Sequence, residues 1–332
     1  MGLLRSVAVL LAVLPVASGA GAPTAGRIVF VREAGDQSAL FSIRPDRSAF
    51  KRLADEPGYD HAPVWSPNGR LIASLGAAGI VISSASGFVV RRIAIPVEGS
   101  PDELRWSPDG RWLSFLVERC SYEDPRGYVI PPCGDLWVVD SGGQGAQRLM
   151  DRDVDMLDGE PSYSWSPSSR SLVYEELATG PRTLRIVQLG SSGGRRIPRT
   201  EGAADPTWSS RGQIALVLPR GLFSVRADGG RLRRLVRGTS LSRPLWSPDG
   251  RRLAYLSPER TKDGNRWGVW VTRADGRNRR RLGATTDDGR LVWSPDSTRV
   301  LWQTLLQRLY VARADGRARP TFLTRGSDPD WR

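Results

Sequence analysis

The chain has 332 residues, 39% of them hydrophobic, and a formal net charge of +13. That apolar content is enough to bury a large core and excludes both a disordered chain and a membrane bundle. The positive charge is almost wholly arginine, since Lys51 and Lys262 are the only lysines. GC-rich coding produces such a skew as readily as selection for polyanions, so no nucleic-acid partner is expected.

The N-terminus reads "MGLLRSVAVLLAVLPVASGAGA", with Arg5, then an apolar run, then small residues around Ala17, Ser18 and Ala20. This is the layout of a signal peptide over residues 1–22, cut after Ala20 or Ala22; its apolar run is shorter than the ~20 residues of a spanning helix. No Cys follows the run, so no lipid anchor is expected, nor any membrane span after cleavage. The expectation is export, to the periplasm or the medium. In an oxidising compartment Cys120 and Cys133, which flank "CSYEDPRGYVIPPC", are expected to form a disulfide. A lone Cys pair lacks the ligand count of a zinc site.

From Gly26 onward the chain is a repeat. "GRIVFV" opens it as a strand with no tryptophan strand of its own. Six tryptophans then open successive units, at 65, 106, 165, 208, 246 and 293, and a seventh stands at 331. The interval is close to the ~40 to 45 residues of a four-stranded propeller blade. After each of the six comes a turn: "SPNG", "SPDG", "SPSS", "SSRG", "SPDG" and "SPDS". Proline presets φ at the second turn position, Asp or Asn suits the third, and glycine takes the left-handed fourth. A strand follows ("RLIASL", "RWLSFLV", "SLVYEEL", "QIALVL", "RLAYLS", "RVLWQT"), then another after a variable loop. The last three of these end in "ADG", a second hairpin turn.

An Arg-rich segment closes each unit ("KRL", "RRI", "RRI", "RRL", "RRRL"), the composition of a solvated sheet edge that refuses foreign strands. The terminal "SDPDWR" is a tryptophan strand without a successor, and joined to "GRIVFV" it completes a blade. The expected fold is all-β: a seven-bladed β-propeller of four-stranded antiparallel blades over residues 26–332, closed by pairing of the N- and C-terminal strands.

"WSPDG" followed by these strands resembles the TolB-type propeller repeat, over essentially the whole of residues 26–332. The resemblance implies a propeller and says little about function. TolB itself carries an N-terminal α/β domain that links it to an envelope complex, and this sequence has no room for one. Related serine peptidases keep their chemistry in a separate hydrolase domain, equally missing.

In an up-and-down blade the tight turns share one face and the long connections share the other, where ligands usually bind. Acidic residues recur in the connections before each tryptophan: Asp60, Asp102, Glu160, Asp205, Asp288 and Asp328, with Arg243 in that region of the remaining blade and His61 beside Asp60. If the tryptophan strands are innermost, these residues are candidates for a ligand-binding ring at the channel mouth. Alternatively, each carboxylate accepts N–H bonds in its own turn. Gly190–Gly194 matches G-x-S-x-G, but the only histidine, His61, lies upstream and no helix follows. "DRDVDMLDGE" lacks the glycine and final glutamate of a calcium loop. No catalytic residue, metal or cofactor is therefore expected. The sequence points to an exported, monomeric, non-catalytic propeller that binds a protein, peptide or envelope component on its long-loop face. A glycan-acting hydrolase or lyase using channel-mouth carboxylates is the alternative.

Overall fold

The computed structural model describes residues 26–34, 37–53, 61–76, 79–95, 101–118, 133–149, 154–155, 163–176, 181–191, 193–261, 264–286 and 289–332. The signal peptide expected at 1–22 and Cys120 lie outside the described residues, as does the Cys133 side chain.

The fold is the expected seven-bladed propeller, all strand and turn among the described residues. Blade 1 runs, inner to outer, Ser327–Trp331, Ile28–Ala34, Gln37–Ile43 and Lys51–Arg52. Blades 2 to 7 follow in chain order with inner strands His61–Trp65, Pro101–Trp106, Tyr163–Trp165, Ala204–Trp208, Ser242–Trp246 and Leu291–Trp293. Blade 1 is thus built from both ends of the propeller: Trp331 pairs with Ile28 and Asp330 with Val29, and the Arg332 N–H donates to the Arg27 carbonyl at 2.9 Å. Gly26 is required there because a Cβ would stand 2.3 Å from the Arg332 carbonyl oxygen. Closure leaves the ring no open end on which another chain could template a sheet.

Burial follows the repeat. Seven apolar clusters lie between consecutive blades, and each inner-strand tryptophan packs on the blade before its own. Trp65 of blade 2 meets Val29, Val31 and Leu40 of blade 1, and Trp331 of blade 1 meets Leu301 and Leu309 of blade 7. Trp106, Trp165, Trp208, Trp246 and Trp293 do the same at the other five junctions. A single blade has too little apolar surface to be stable, and the indoles join the sheets into one core.

The Arg-rich outer strands do more than face solvent. Lys51 Nζ donates to the Ser86 carbonyl (3.0 Å), Arg91 Nη1 to Ser141 (2.6 Å), Arg195 Nη2 to Ala227 (2.9 Å) and Arg233 Nη2 to Asp275 (2.9 Å). In each case the outer strand of one blade grips the outer turn of the next. The expected solvated edge therefore has one refinement: part of its positive charge latches neighbouring blades together.

Blades 3 and 4 depart from the simple repeat. Val154–Asp155 pairs with Cys133 and Gly134 on one side and, through Val154, with Glu176 on the other, merging two blades into one nine-stranded sheet. This stitch comes from the segment between the blades, "DRDVDMLDGE", which was considered above as a metal loop.

Candidate functional site

The inner strands surround a cavity of about 520 Å³ on the ring axis. Its wall is set by one column of the repeat. The residue immediately before each tryptophan lines it in all seven blades: Val64, Arg105, Ser164, Thr207, Leu245, Val292 and Asp330. Neighbours on a strand point to opposite sides: Ser164 and Asp330 of this column reach toward the next blade and the tryptophans toward the blade before, and six of the tryptophans also border the cavity. Prolines of the tight turns (Pro67, Pro108, Pro248 and Pro295) line it toward one face, and Asp205, Arg243 and Arg290, three positions before a tryptophan, line it toward the other.

That third-preceding position is unusual in backbone as well. Ala62, Glu103, Asp205, Arg243 and Asp328 have φ between 48° and 57°. At each the pairing with the second strand shifts register. A bulge bends the inner strand where it enters the ring, and a non-glycine residue held there costs about 1 kcal/mol or more.

The carboxylates of Asp102, Asp205 and Asp330 accept backbone N–H bonds. Asp205 Oδ2 accepts the N–H of Arg243 in the next blade at 3.0 Å, and Asp330 Oδ2 accepts that of Trp65 at 2.6 Å. Ser164 plays the same part, its Oγ accepting the N–H of Trp208 at 3.0 Å. The buried Glu175, paired with Arg182 at 3.1 Å, holds the Asp205 N–H. Asp102 Oδ1 accepts the adjacent Glu103 N–H at 2.7 Å, the local pattern common for short acids. The Asp328 N–H donates to Gln303 Oε1 at 2.9 Å. His61 is half-buried, paired with Leu75 at the start of its strand.

Of the sequence-derived candidates, Asp205 and Arg243 line the cavity; Asp102, His61 and Asp328 sit on inner strands outside its lining. Asp60, Glu160 and Asp288 lie outside the described residues. The lining also holds residues that the pattern of acids in the connections passes over: three arginines, Arg105, Arg290 and Arg332, and Asp330, which directly precedes its tryptophan. Reading down the column before the tryptophans would have found two of them. Arg332 Nε is tied to the Pro67 carbonyl at 2.9 Å. The Arg105 guanidinium lies 5.5 Å from the centre of the Tyr163 ring. Burial pushes the Tyr163 phenol well above its usual pKa, so it stays protonated; its O–H donates to the Glu103 carbonyl at 2.5 Å.

No family model matches the chain. A TolB homolog of Chlorobium luteolum is 27% identical over 122 residues, 35% of this chain and 27% of the relative. The solved TolB of Acinetobacter baumannii superposes with a TM-score of 0.56 at 14% identity, covering 92% of this chain and 82% of that one. In fold the chain is similar to TolB. The match to the Chlorobium protein spans about a quarter of that relative's length. The chain is also similar in fold to an oligogalacturonate lyase of Vibrio parahaemolyticus, with a TM-score of 0.60 at 13% identity over 90% of this chain and 86% of that one. One architecture thus serves proteins of different activity.

Proposed function

We propose that this TolB-like propeller is an exported, non-catalytic binding protein that docks a protein or peptide of the cell envelope on the face carrying its long connections. The observation that carries the non-catalytic part is the use made of the cavity's carboxylates: Asp205 and Asp330 both accept main-chain N–H bonds from the next blade. A carboxylate committed to holding two blades in register is poorly placed to shuttle a proton. The TolB resemblance of the repeat and the leader-like N-terminus support the envelope setting.

The test is affinity capture from the envelope of the source organism with the tagged mature chain, alongside a turnover screen on glycoside and peptide substrates. Stoichiometric recovery of one envelope protein, with no turnover, is the expected result. Turnover abolished by Asp102→Asn or Asp205→Asn in a folded protein overturns the reading in favour of a glycan- or peptide-acting enzyme.

A further inference from the structure

We propose that the central cavity is a binding site for a small organic anion with two or more carboxylates, gripped by Arg105 on one side of the ring and by Arg243 and Arg290 on the other. This goes beyond the docking of a partner protein and does not depend on it.

The cavity, at about 520 Å³, falls within the roughly 300–1,000 Å³ of small-molecule sites. Its described lining carries four arginines against two aspartates. Both aspartates already accept backbone N–H bonds, and the Arg332 guanidinium is bound to Pro67. Arg105 differs from Arg332. It is half-buried over Tyr163, and its Nε is shut off from solvent with no acceptor among the described residues. An Nε–H drawn out of water without an acceptor is costly, and a carboxylate matches the planar fork of a guanidinium with two parallel bonds. Tyr163 cannot serve as the counter-charge, because burial keeps its phenol protonated and its proton is committed to Glu103.

Placement then sets the ligand's charge pattern. Arg105 stands in blade 3, whereas Arg243 and Arg290 line the cavity from blades 6 and 7, across a ring of seven. One carboxylate cannot reach both sides, but a di- or tricarboxylate with an organic frame can. The frame would lie against Leu245, Val292 and the indoles, which offer nothing to a bare hydrated ion such as sulfate.

The mature chain is titrated with citrate and succinate at constant ionic strength, following tryptophan fluorescence, because six tryptophans border the cavity, and the heat of binding. Saturable binding of one ligand per chain is expected, weakened about tenfold or more by Arg105→Gln. Arg105→Lys should fall between the two, and it supplies the readout if Arg105→Gln unfolds. Arg234→Gln, on the exposed outer strand of blade 5, should bind as the parent does. The proposal is overturned if nothing saturates, if succinamide or sulfate gives the response of citrate, or if neither Arg105 variant binds more weakly than the parent. A chain that captures an envelope partner but binds no carboxylate ends this proposal alone.

Discussion

The seven inner tryptophans occupy one repeat position but do not all use the same atoms. Trp106 and Trp293 donate their indole N–H to the carbonyls of Val64 and Leu245 in the preceding blade, at 3.2 and 2.9 Å, and Trp165 donates to Ser114 Oγ at 2.9 Å. The Nε1 atoms of Trp65, Trp208, Trp246 and Trp331 are buried with no partner among the described residues. At those four positions the ring contributes area alone, and the polar tip is a cost. Trp246→Phe should therefore be milder than Trp293→Phe, which loses the indole bond to the Leu245 carbonyl, by about 1 kcal/mol. Urea unfolding of the two variants checks this, and equal losses would mean that the indole hydrogen bond contributes nothing. The tryptophan column was plain in the sequence because one bulky residue recurs at near-constant spacing. The column just before it was not, because it mixes Val, Arg, Ser, Thr, Leu and Asp, and only the geometry of the ring unites them.

At the scale of the turn, "WSPDG" is a small hydrogen-bonded machine. In blade 3, Gly110 N–H donates to the Ser107 carbonyl, Ser107 Oγ donates to Asp109 Oδ1 at 2.7 Å, and the N–H groups of Arg111 and Trp112 return to Asp109 and Ser107. Blades 6 and 7 repeat this around Asp249 and Asp296. Burial pushes these three carboxyls up, but the bonds from serine and backbone outweigh it and hold them below the usual range. A carboxyl depressed in the folded state adds stability above its unfolded pKa and loses that stability as pH falls below about 4. Asn68 accepts the same two bonds in blade 2, from Ser66 Oγ and the Arg70 N–H. The triple variant Asp109→Asn, Asp249→Asn, Asp296→Asn should therefore fold, and its melting temperature should fall less steeply between about pH 4 and 2 than that of the parent. An unchanged acid limb would assign the pH response elsewhere.

Proline, aspartate and glycine made these turns legible from sequence, whereas their ties to neighbouring blades were hidden. "SPSS" and "SPDS" look like defective copies, yet Ser169 and Ser297 take the left-handed fourth position (φ 58° and 60°) and accept the N–H groups of Asp109 and Asp249 from the blade before. In "ADG", Gly276 is doubly constrained: its φ is 81°, and a Cβ would meet the Leu235 carbonyl oxygen of blade 5 at 2.2 Å. The arginine latches belong with these, since nothing within one repeat says what the next repeat offers as acceptor.

For the whole molecule, ring closure decides stability. The sequence foretold the partnership of the two ends, because each carried half of one pattern. It could not foretell the strand that merges blades 3 and 4, which is two residues long and has no periodicity to detect. Removing residues 327–332 would leave the Ile28–Ala34 edge unpaired and strip Leu301 and Leu309 of Trp331. The truncated chain should unfold broadly and self-associate, and a peptide spanning 326–332 added in trans should restore a sharp transition and a single species in sedimentation. A truncated chain as cooperative as the parent would show that the last strand is ornamental.

Gly26 and Arg332 meet where the other six blades place the tight turn that follows their tryptophan, and Arg332 leans on Pro67 of the adjacent turn. The two ends of the propeller therefore leave side by side from its plain face. Any tether fused to either end, whether to a bead, a bilayer or a second domain, orients the torus like a dish on a stalk, with the opposite rim displayed outward. New ends opened in another blade's turn, with Gly26 and Arg332 joined by a short linker, would rotate the stalk around that face without reversing which side is presented.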